Sequence, residues 1–289
     1  MIDANGVEQL RRSYRAFQIE PPARHVVLGS GYAHALTALS PRLAPDWELV
    51  GELPFSKVPG LQAATAPGHG AAYRYYRHRK LGHAVCLQLG RLHGYEGLPA
   101  SAVARTVTLP CLAGTREFIL TNSAGALARD LPVGGALLLT DHVNLTGQNP
   151  LAGPNSTDAG GKPCGPRFPD LTAAYDPELR RKLAARLKEG GIEVREGIYL
   201  GLLGPSFETP AEVALFGRWG LQAVGMSTVW EAIALRYLGA RLAGISLLCN
   251  LGAGLSSVPL TAEEVLEVAA RAGPGILTAI FAHLAEPVA

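Results

Sequence analysis

Ala84-Val-Cys-Leu-Gln-Leu-Gly-Arg-Leu-His-Gly-Tyr-Glu-Gly97 joins an apolar run to a polar segment bounded by glycines. An apolar run that ends at glycine predicts a buried strand, and open α/β sheets bind their ligands at the ends of such strands. In an extended backbone Arg91, His93 and Tyr95 share one face. A cation, an imidazole and a phenol on one face indicate an anion site beside a polar organic ligand. A solvated polar loop is the alternative, and this stretch alone does not separate the two.

The flanking sequence repeats this pattern of a buried strand followed by small or polar residues. Strands are predicted at 25–29, 84–89, 117–121, 135–140, 197–203, 222–228 and 242–250, and a basic-tipped hairpin at about 70–90. Helices are predicted at about 5–18, 32–39, 100–113, 176–189, 230–238 and 261–284. This alternation, without a visible repeat or linker, predicts one α/β domain over residues 1–289 with a single site along the strand ends.

Composition narrows the class of protein. Of the 289 residues 48% are hydrophobic and 17% charged, which is typical of a compact globular enzyme. The net charge of +2 gives no basic field of the kind that nucleic-acid binders carry. The four cysteines form no CxxC pair, which favours reduced thiols over a disulfide or zinc site. With no leader pattern and no apolar run of membrane-spanning length, we expect a cytoplasmic protein without nucleic-acid or membrane partners.

Two further segments are candidates for an anion site. Gly29-Ser30-Gly31 lies between a predicted strand and a helix, where glycines let backbone N–H groups approach a phosphate. A dinucleotide fingerprint would need a third glycine at position 34, where the chain has His34. His69, after Gly68, is the second candidate, and a structural histidine is its alternative. The loop from about 146 to 169 has no periodicity, which is typical of lids and interface elements.

Eight short motifs occur in one order along the chain. They are Gly29-Ser-Gly31, Gly68-His69, Gly90-Arg-Leu-His-Gly-Tyr-Glu-Gly97, Thr121-Asn-Ser-Ala-Gly125, Gly147-Gln-Asn-Pro150, Gly204-Pro-Ser-Phe-Glu-Thr209, Gly225-Met-Ser-Thr-Val229 and Asn250. In this combination the chain resembles the trimeric, 6-oxopurine-type purine nucleoside phosphorylases from about Arg24 to Leu284. The resemblance implies a central mixed β-sheet flanked by helices, a homotrimer, no metal or cofactor, and phosphate as co-substrate for reversible phosphorolysis of inosine and guanosine.

The resemblance also implies roles for individual residues. Phosphate would be held by Ser30, His69, Arg91, His93, the backbone N–H of Ser123, and Ser227. The nucleoside would be contacted by Tyr95, Phe168 of a neighbouring subunit, Phe207, Glu208, Met226 and Asn250. Catalytic roles fall to His93, Glu208 and Asn250. A carboxylate that accepts from purine N1–H, and an amide that donates to O6 or N7, suit 6-oxopurines better than adenine. Met226 as a core residue and Glu208 as a helix-start residue are the alternatives.

The chain departs from this family at several positions, one of which is Cys249, where threonine is usual beside the base. Ala262 stands where a histidine commonly reaches toward the sugar 5′-hydroxyl. This departure keeps a 5′-methylthioadenosine phosphorylase open as an alternative, beside a xanthosine phosphorylase. A non-catalytic purine-binding protein is a more remote alternative, because binding a base alone needs no phosphate site of the kind that Arg91 and His93 provide. A nucleoside hydrolase would cleave inosine equally fast without phosphate.

Overall fold

A computed structural model describes residues 3–63, 70–158, 160–256 and 260–287. The strands are β1 Arg24–Leu28, β2 Trp47–Pro54, β3 Ala72–His78, β4 Ala84–Leu89, β5 Glu117–Ala126, β6 Ala136–Asn144, β7 Val194–Gly201, β8 Ala223–Gly225 and β9 Arg241–Leu251. The helices are α1 Ala4–Ala16, α2 Tyr32–Leu43, α3 Ala100–Val103, α4 Arg105–Ala113, α5 Pro177–Glu189, α6 Pro210–Arg218, α7 Val229–Tyr237 and α8 Ala262–Leu284. Short 3-10 turns cover Phe55–Lys57 and Gly94–Glu96.

All of these strands belong to one mixed sheet, as the sequence predicted. Their order is β2-β3-β4-β1-β5-β8-β7-β6-β9, and β9 also pairs with β5. Strand β1 is parallel to both β4 and β5, and β5 is parallel to β9, whereas β2–β3, β3–β4, β5–β8 and β6–β9 are antiparallel. Because β9 returns to β5, the strands β5, β8, β7, β6 and β9 form a closed ring beside an open wing.

Strand β5 continues beyond its predicted end at Thr121. Its last residues, Asn122 to Ala126, pair with the end of β9, and Gly125 and Ala126 also pair with β8. Strand β6 likewise continues through Asn144 by pairing with β7. Polar residues predicted to follow these strands therefore lie within them, where the sheet holds their backbone.

Two other predictions needed revision. The sequence predicted no strand at β2, where exposed and buried residues do not alternate cleanly. The helix predicted over 100–113 is two helices that meet at Ala104. The hairpin of β3 and β4 and the capping of α8 agree with expectation: Glu264 N–H donates to Thr261 Oγ1 at 3.1 Å.

The sheet is buried on both faces. Val26 and Leu28 of β1 pack into one cluster with α2, α5 and α8, whereas Val27 between them packs into the opposite cluster with α4 and α7. Successive side chains of a strand point to opposite faces, so this alternation places β1 in the middle of the molecule. Its carboxyl end can then carry functional groups on a rigid support.

Helix α8 is long and apolar enough to cross a membrane if only length and composition are considered. In the fold it packs against α2, α5 and β9. Its buried residues, among them Ile276, Ile280 and Leu284, belong to the main core cluster. Its apolar character is therefore that of a core helix.

Candidate active site

Four parallel strand ends meet at one edge of the sheet. In register, Leu28 of β1 lies beside Leu89 of β4, and Gly125 of β5 lies beside Asn250 of β9. Parallel strands point their carboxyl ends the same way, so the segments that follow β1 and β4 converge with the ends of β5 and β9. This convergence brings together motifs that are far apart in the sequence.

A cavity opens at these strand ends. Its volume of about 280 Å³ is close to the lower limit of the range for small-molecule sites. Ten residues predicted from the sequence line it: Ser30, Arg91, His93, Tyr95, Ser123, Phe207, Glu208, Met226, Ser227 and Asn250. The other lining residues are Asn122, Ala124, Gly125, Val224, Gly225, Ala262, Val265 and Leu266. The lining combines the guanidinium of Arg91 and the serines Ser30, Ser123 and Ser227 with the carboxylate of Glu208 and the amide of Asn250.

The turn between β1 and α2 needs its two glycines. A Cβ on Gly29 would lie 2.8 Å from the Cα of Asn122. Gly31 has a φ of +80°, and a Cβ there would collide with Ala269 of α8. Ser30 is thus held at the cavity beside the first turn of α2, where helical N–H groups and the helix dipole favour an anion.

Arg91 is a fixed part of the cavity wall. Its side chain is 2% exposed, and its Nε lies 3.2 Å from Oε1 of Glu231, a carboxylate buried in α7. Its Nη1 donates to the carbonyl oxygen of Thr121 at 2.8 Å. A guanidinium anchored in this way keeps its planar fork of donors in one orientation, which suits a tetrahedral oxyanion.

His93 is oriented by Glu96. The carboxylate of Glu96 lies 3.2 Å from Nδ1 of His93 and accepts the backbone N–H of the same residue at 2.7 Å. The imidazole also stacks on Tyr95, with 4.6 Å between ring centroids and 17° between planes. A proton on Nδ1 that is donated to Glu96 leaves Nε2 as an acceptor in the neutral ring. Glu96 therefore positions His93.

Glu208 and Asn250 also line the cavity, and both are largely buried, with exposed fractions of 9% and 7%. Burial raises the pKa of Glu208 above its usual value, and the nearby Glu212 adds to the rise. Asn250 donates to the carbonyl oxygen of Leu251 at 3.0 Å. A Cβ on Gly125 would lie 3.4 Å from the Asn250 amide nitrogen, so the glycine leaves room for this side chain.

Glu208 does not cap the helix that follows it. Helix α6 begins with a reciprocal pair instead: Glu212 N–H donates to Thr209 Oγ1 at 3.2 Å, and Thr209 N–H donates to Glu212 Oε2 at 2.8 Å. The alternative of a helix-start residue therefore applies to Glu212, and Glu208 lies in the cavity wall.

Met226 and Tyr95 are also part of the cavity lining. Gly204 has a φ of +73°, and a Cβ there would collide with the sulfur of Met226. The opposite wall is apolar and comes from the start of α8, through Ala262, Val265 and Leu266.

One predicted site residue among the described ones, Phe168, is not in this wall. Phe168 is 87% exposed, and the Arg167 guanidinium lies 5.5 Å from its ring centroid. It does not line the cavity of its own chain. His69 lies outside the described residues.

Three residues that the sequence did not single out complete the site. Asn122 lines the cavity, and Thr228 and Glu231 support Ser227 and Arg91 from behind. The signal for Glu231 was present, because a threonine followed three residues later by glutamate is a helix-start pattern. Cys249, considered a neighbour of the base from the sequence, is fully buried, and burial raises the pKa of its thiol to about 11.

Comparison with known proteins agrees with this geometry. The model of the phosphorylase superfamily matches residues 26–282. A purine nucleoside phosphorylase of Cellulomonas sp is 39% identical, over 90% of this chain and 85% of its own length. That of Mycobacterium tuberculosis is 40% identical, over 91% and 88%.

Solved structures lead to the same family. The purine nucleoside phosphorylase of Schistosoma mansoni in complex with inosine aligns with a TM-score of 0.80 at 28% identity, over 99% of this chain and 98% of its own. The same enzyme in complex with adenosine aligns equally well, with a TM-score of 0.80. By its sequence, its fold and its relatives, the chain belongs to the phosphorylase superfamily and, within it, to the purine nucleoside phosphorylases.

Proposed function

We propose that this cavity carries out the reversible phosphorolysis of 6-oxopurine nucleosides. In the forward direction a phosphate oxygen bonds to C1′ of inosine or guanosine while the C1′–N9 bond breaks. The bonding pair leaves with the purine, which takes up a proton, and ribose 1-phosphate is released. Phosphate is a co-substrate, and the mechanism assigns no step to a metal or organic cofactor.

One observation carries the proposal: a single cavity is lined by a guanidinium with serines and by a buried carboxylate with an amide. We propose that the first group forms an anion-binding end and the second a base-binding end. At the anion-binding end Arg91 offers a fixed fork of donors, and Ser30, Ser123 and Ser227 offer hydroxyl or amide donors. These groups would hold phosphate in line with C1′, and this positioning would supply much of the rate. His93 would complete the shell, and the resemblance adds His69.

At the other end Glu208 and Asn250 would select the base. Hypoxanthine and guanine carry a proton on N1, which an ionised Glu208 can accept. Adenine has a bare acceptor at N1, so an ionised carboxylate beside it would face a lone pair. Asn250 can donate to O6 or N7, where negative charge develops as the purine leaves. Inosine and guanosine are therefore the proposed substrates, and adenosine is expected to be poor.

The sugar would lie between Tyr95 and Met226, with Phe207 against the purine. Phe168 is exposed on its own chain, and we propose that it closes the cavity of a neighbouring copy in a homotrimer. Light scattering coupled to size exclusion should then give a trimer, and Phe168→Ala should raise the KM for the nucleoside. A fully active monomer would contradict this placement.

The main test is a nucleoside panel with and without phosphate. We expect inosine and guanosine to be cleaved only when phosphate is present, to ribose 1-phosphate, with adenosine at least about tenfold poorer in kcat/KM, the discrimination expected of one mispaired buried polar group. Equal rates without phosphate would identify a hydrolase. Binding without turnover would identify a purine-binding protein.

The apolar wall of α8 favours a second candidate function. Ala262, Val265 and Leu266 offer no side-chain hydrogen-bond partner to a sugar hydroxyl, and an apolar 5′ substituent would suit them better. A 5′-methylthioadenosine phosphorylase would have this preference, although Glu208 disfavours its adenine base. A kcat/KM for 5′-methylthioadenosine above that for inosine would establish this candidate.

A further inference from the structure

The turn that carries Ser227 is strained. Thr228 has φ 71° and ψ −47°, and Val229 N–H donates to the Ser227 carbonyl oxygen at 2.8 Å. This is a γ-turn of the rare positive-φ type, and a β-branched residue is an outlier in it. Such strain persists only where the surroundings hold it, and it is found mostly at functional sites.

Buried partners hold Thr228 in this conformation. Its backbone N–H donates to Oε2 of Glu231 at 3.1 Å, while Oε1 of the same carboxylate pairs with Arg91. Its hydroxyl lies 2.9 Å from Nδ2 of Asn122 and 3.1 Å from Oγ of Ser227. Asn122 and Thr228 are 1% and 2% exposed, so water does not compete for these bonds.

These contacts give the hydroxyl pair a direction. An amide nitrogen only donates, so Thr228 Oγ1 accepts from Asn122. Within the part of the chain that the structure describes, the remaining acceptor beside the Thr228 hydroxyl proton is Ser227 Oγ. When Thr228 donates to Ser227, the proton of Ser227 is left for another acceptor, either the Tyr199 hydroxyl beside it or a ligand in the cavity. Ser227 lines the cavity, so that proton can be directed into it.

We propose that Asn122 and Thr228 are positioning residues that orient the Ser227 hydroxyl as a donor to phosphate. The inference rests on the proposed function, in which Ser227 binds phosphate. The relay runs from the Asn122 amide through the Thr228 hydroxyl to Ser227, and Glu231 joins it to Arg91. One buried cluster therefore orients two donors of the anion-binding end.

A double-mutant cycle between Ser227→Ala and Thr228→Val tests the relay, with the Kd for inorganic phosphate measured by calorimetry. Ser227→Ala should weaken phosphate binding about 10- to 100-fold, the size expected of a hydrogen bond to a charged group. Thr228→Val keeps the shape but removes the hydroxyl, and it should weaken binding several-fold. In the double variant Thr228→Val should add nothing, because its effect passes through Ser227.

Two further variants separate this role from general damage. Thr228→Ser keeps the hydroxyl and should restore phosphate binding. Thr278→Val removes a hydroxyl from the exposed side of α8, where it donates to Pro274, and should leave phosphate binding unchanged. If Thr228→Val fails to fold, Asn122→Ala breaks the relay at its other end and enters the same cycle.

The outcomes are distinct. If the fold-changes in Kd caused by Thr228→Val and Ser227→Ala multiply in the double variant, the two residues act independently. That result would overturn the relay. No rescue by Thr228→Ser would overturn it as well. If the unmodified protein shows no phosphate-dependent cleavage, that result would instead contradict the proposed function.

Discussion

Two buried arginines lie at opposite ends of the central strands, here called the amino edge and the carboxyl edge, and each is paired with one glutamate. Arg24 at the amino edge bonds to Glu117 at 3.0 Å and donates to the carbonyl oxygens of Leu284 and Pro287, both at 3.1 Å. Arg91 at the carboxyl edge is anchored by its Nε and Nη1 and forms part of a cavity wall. The same residue type fastens the chain at one edge and faces a ligand site at the other.

The pKa values of Glu117, beside Arg24, and of Glu208, at the cavity, are shifted in opposite directions. Burial by itself would raise the pKa of Glu117, but the hydrogen bond from His283 and the charges of His283, Arg24 and Arg241 outweigh burial and lower the pKa. Glu208, at the cavity, has no such cation beside it among the described residues, and burial raises its pKa. A closed ion network stabilises the fold, whereas a carboxylate with a raised pKa is held for a ligand.

The largest difference should appear when each arginine is changed to lysine. Arg91→Lys keeps the charge beside Glu231 but loses the planar fork, so kcat/KM for inosine should fall by about 100-fold or more. Steady-state assays at several phosphate concentrations measure this loss. A loss below about threefold would show that the fork does not act on phosphate.

Arg24→Lys should instead lower the stability of the protein and leave its activity nearly unchanged. It cannot reproduce bonds to one carboxylate and several carbonyls, so the free energy of unfolding should fall by roughly 2 to 3 kcal/mol. Urea denaturation measures this change. The kcat/KM per folded molecule should stay within about twofold of the unmodified protein, and a loss as large as that of Arg91→Lys would erase the contrast between the edges.

The raised pKa of Glu208 predicts a selectivity that depends on pH. As pH falls through that pKa, the carboxyl becomes protonated, stops accepting from N1–H of hypoxanthine and becomes a donor to N1 of adenine. The ratio of kcat/KM for adenosine to that for inosine should therefore rise on acidification. The increase should approach about tenfold, which corresponds to the free energy of one hydrogen bond. Competition assays across the acidic range measure the ratio.

Glu208→Gln is the matched control for this titration. Its amide can both donate and accept, so the ratio should be higher than in the unmodified protein and independent of pH. At the other edge Glu117→Gln removes a carboxylate that does not touch the cavity, and it should leave the pH dependence of the ratio intact. A ratio that stays constant with pH in the unmodified protein would sink the assignment.

The smallest effect is expected at Gly204. Gly204→Ala forces alanine to a φ of +73° and displaces Met226, so the KM for the nucleoside should rise a few-fold. Gly220→Ala has a similar φ of +77° with nothing within 4 Å of the new Cβ. Both should lose about 1 kcal/mol of stability, the cost of left-handed backbone in alanine. Equal KM values in the two variants would show that Met226 does not contact substrate.

Local sequence patterns predicted the site residues at the strand ends, but not the buried residues that hold those side chains in place. Gly29-Ser30-Gly31 and Gly90-Arg91 mark their turns through glycine, and ten predicted residues do line one cavity. Glu231 lies inside an apolar helix, and its role depends on Arg91, 140 residues away along the chain. Asn122 falls in a predicted loop that becomes strand only through pairing with β9. A local pattern could mark Glu231 as a helix-start residue, but its contact with Arg91 is too distant in sequence to leave a local signal.

Phe168 shows the opposite limit. The sequence placed it at the site through resemblance, yet in one chain it is exposed and away from the cavity. Whether it reaches a site depends on a neighbouring copy, which the fold of a single chain does not supply.

The return of β9 to β5 has a consequence for the behaviour of the protein at high concentration. Every strand of the ring has a neighbour on both sides for part of its length, whereas within the described residues β2 has a neighbour on one side and forms the outer edge of the open wing. There Glu48 and Glu52 are exposed, the pairing register shifts between Leu49 and Gly51, and Pro54 lacks an N–H. Charge, irregularity and proline all resist the addition of a foreign strand. The fold therefore guards against edge-to-edge aggregation along the outer side of β2.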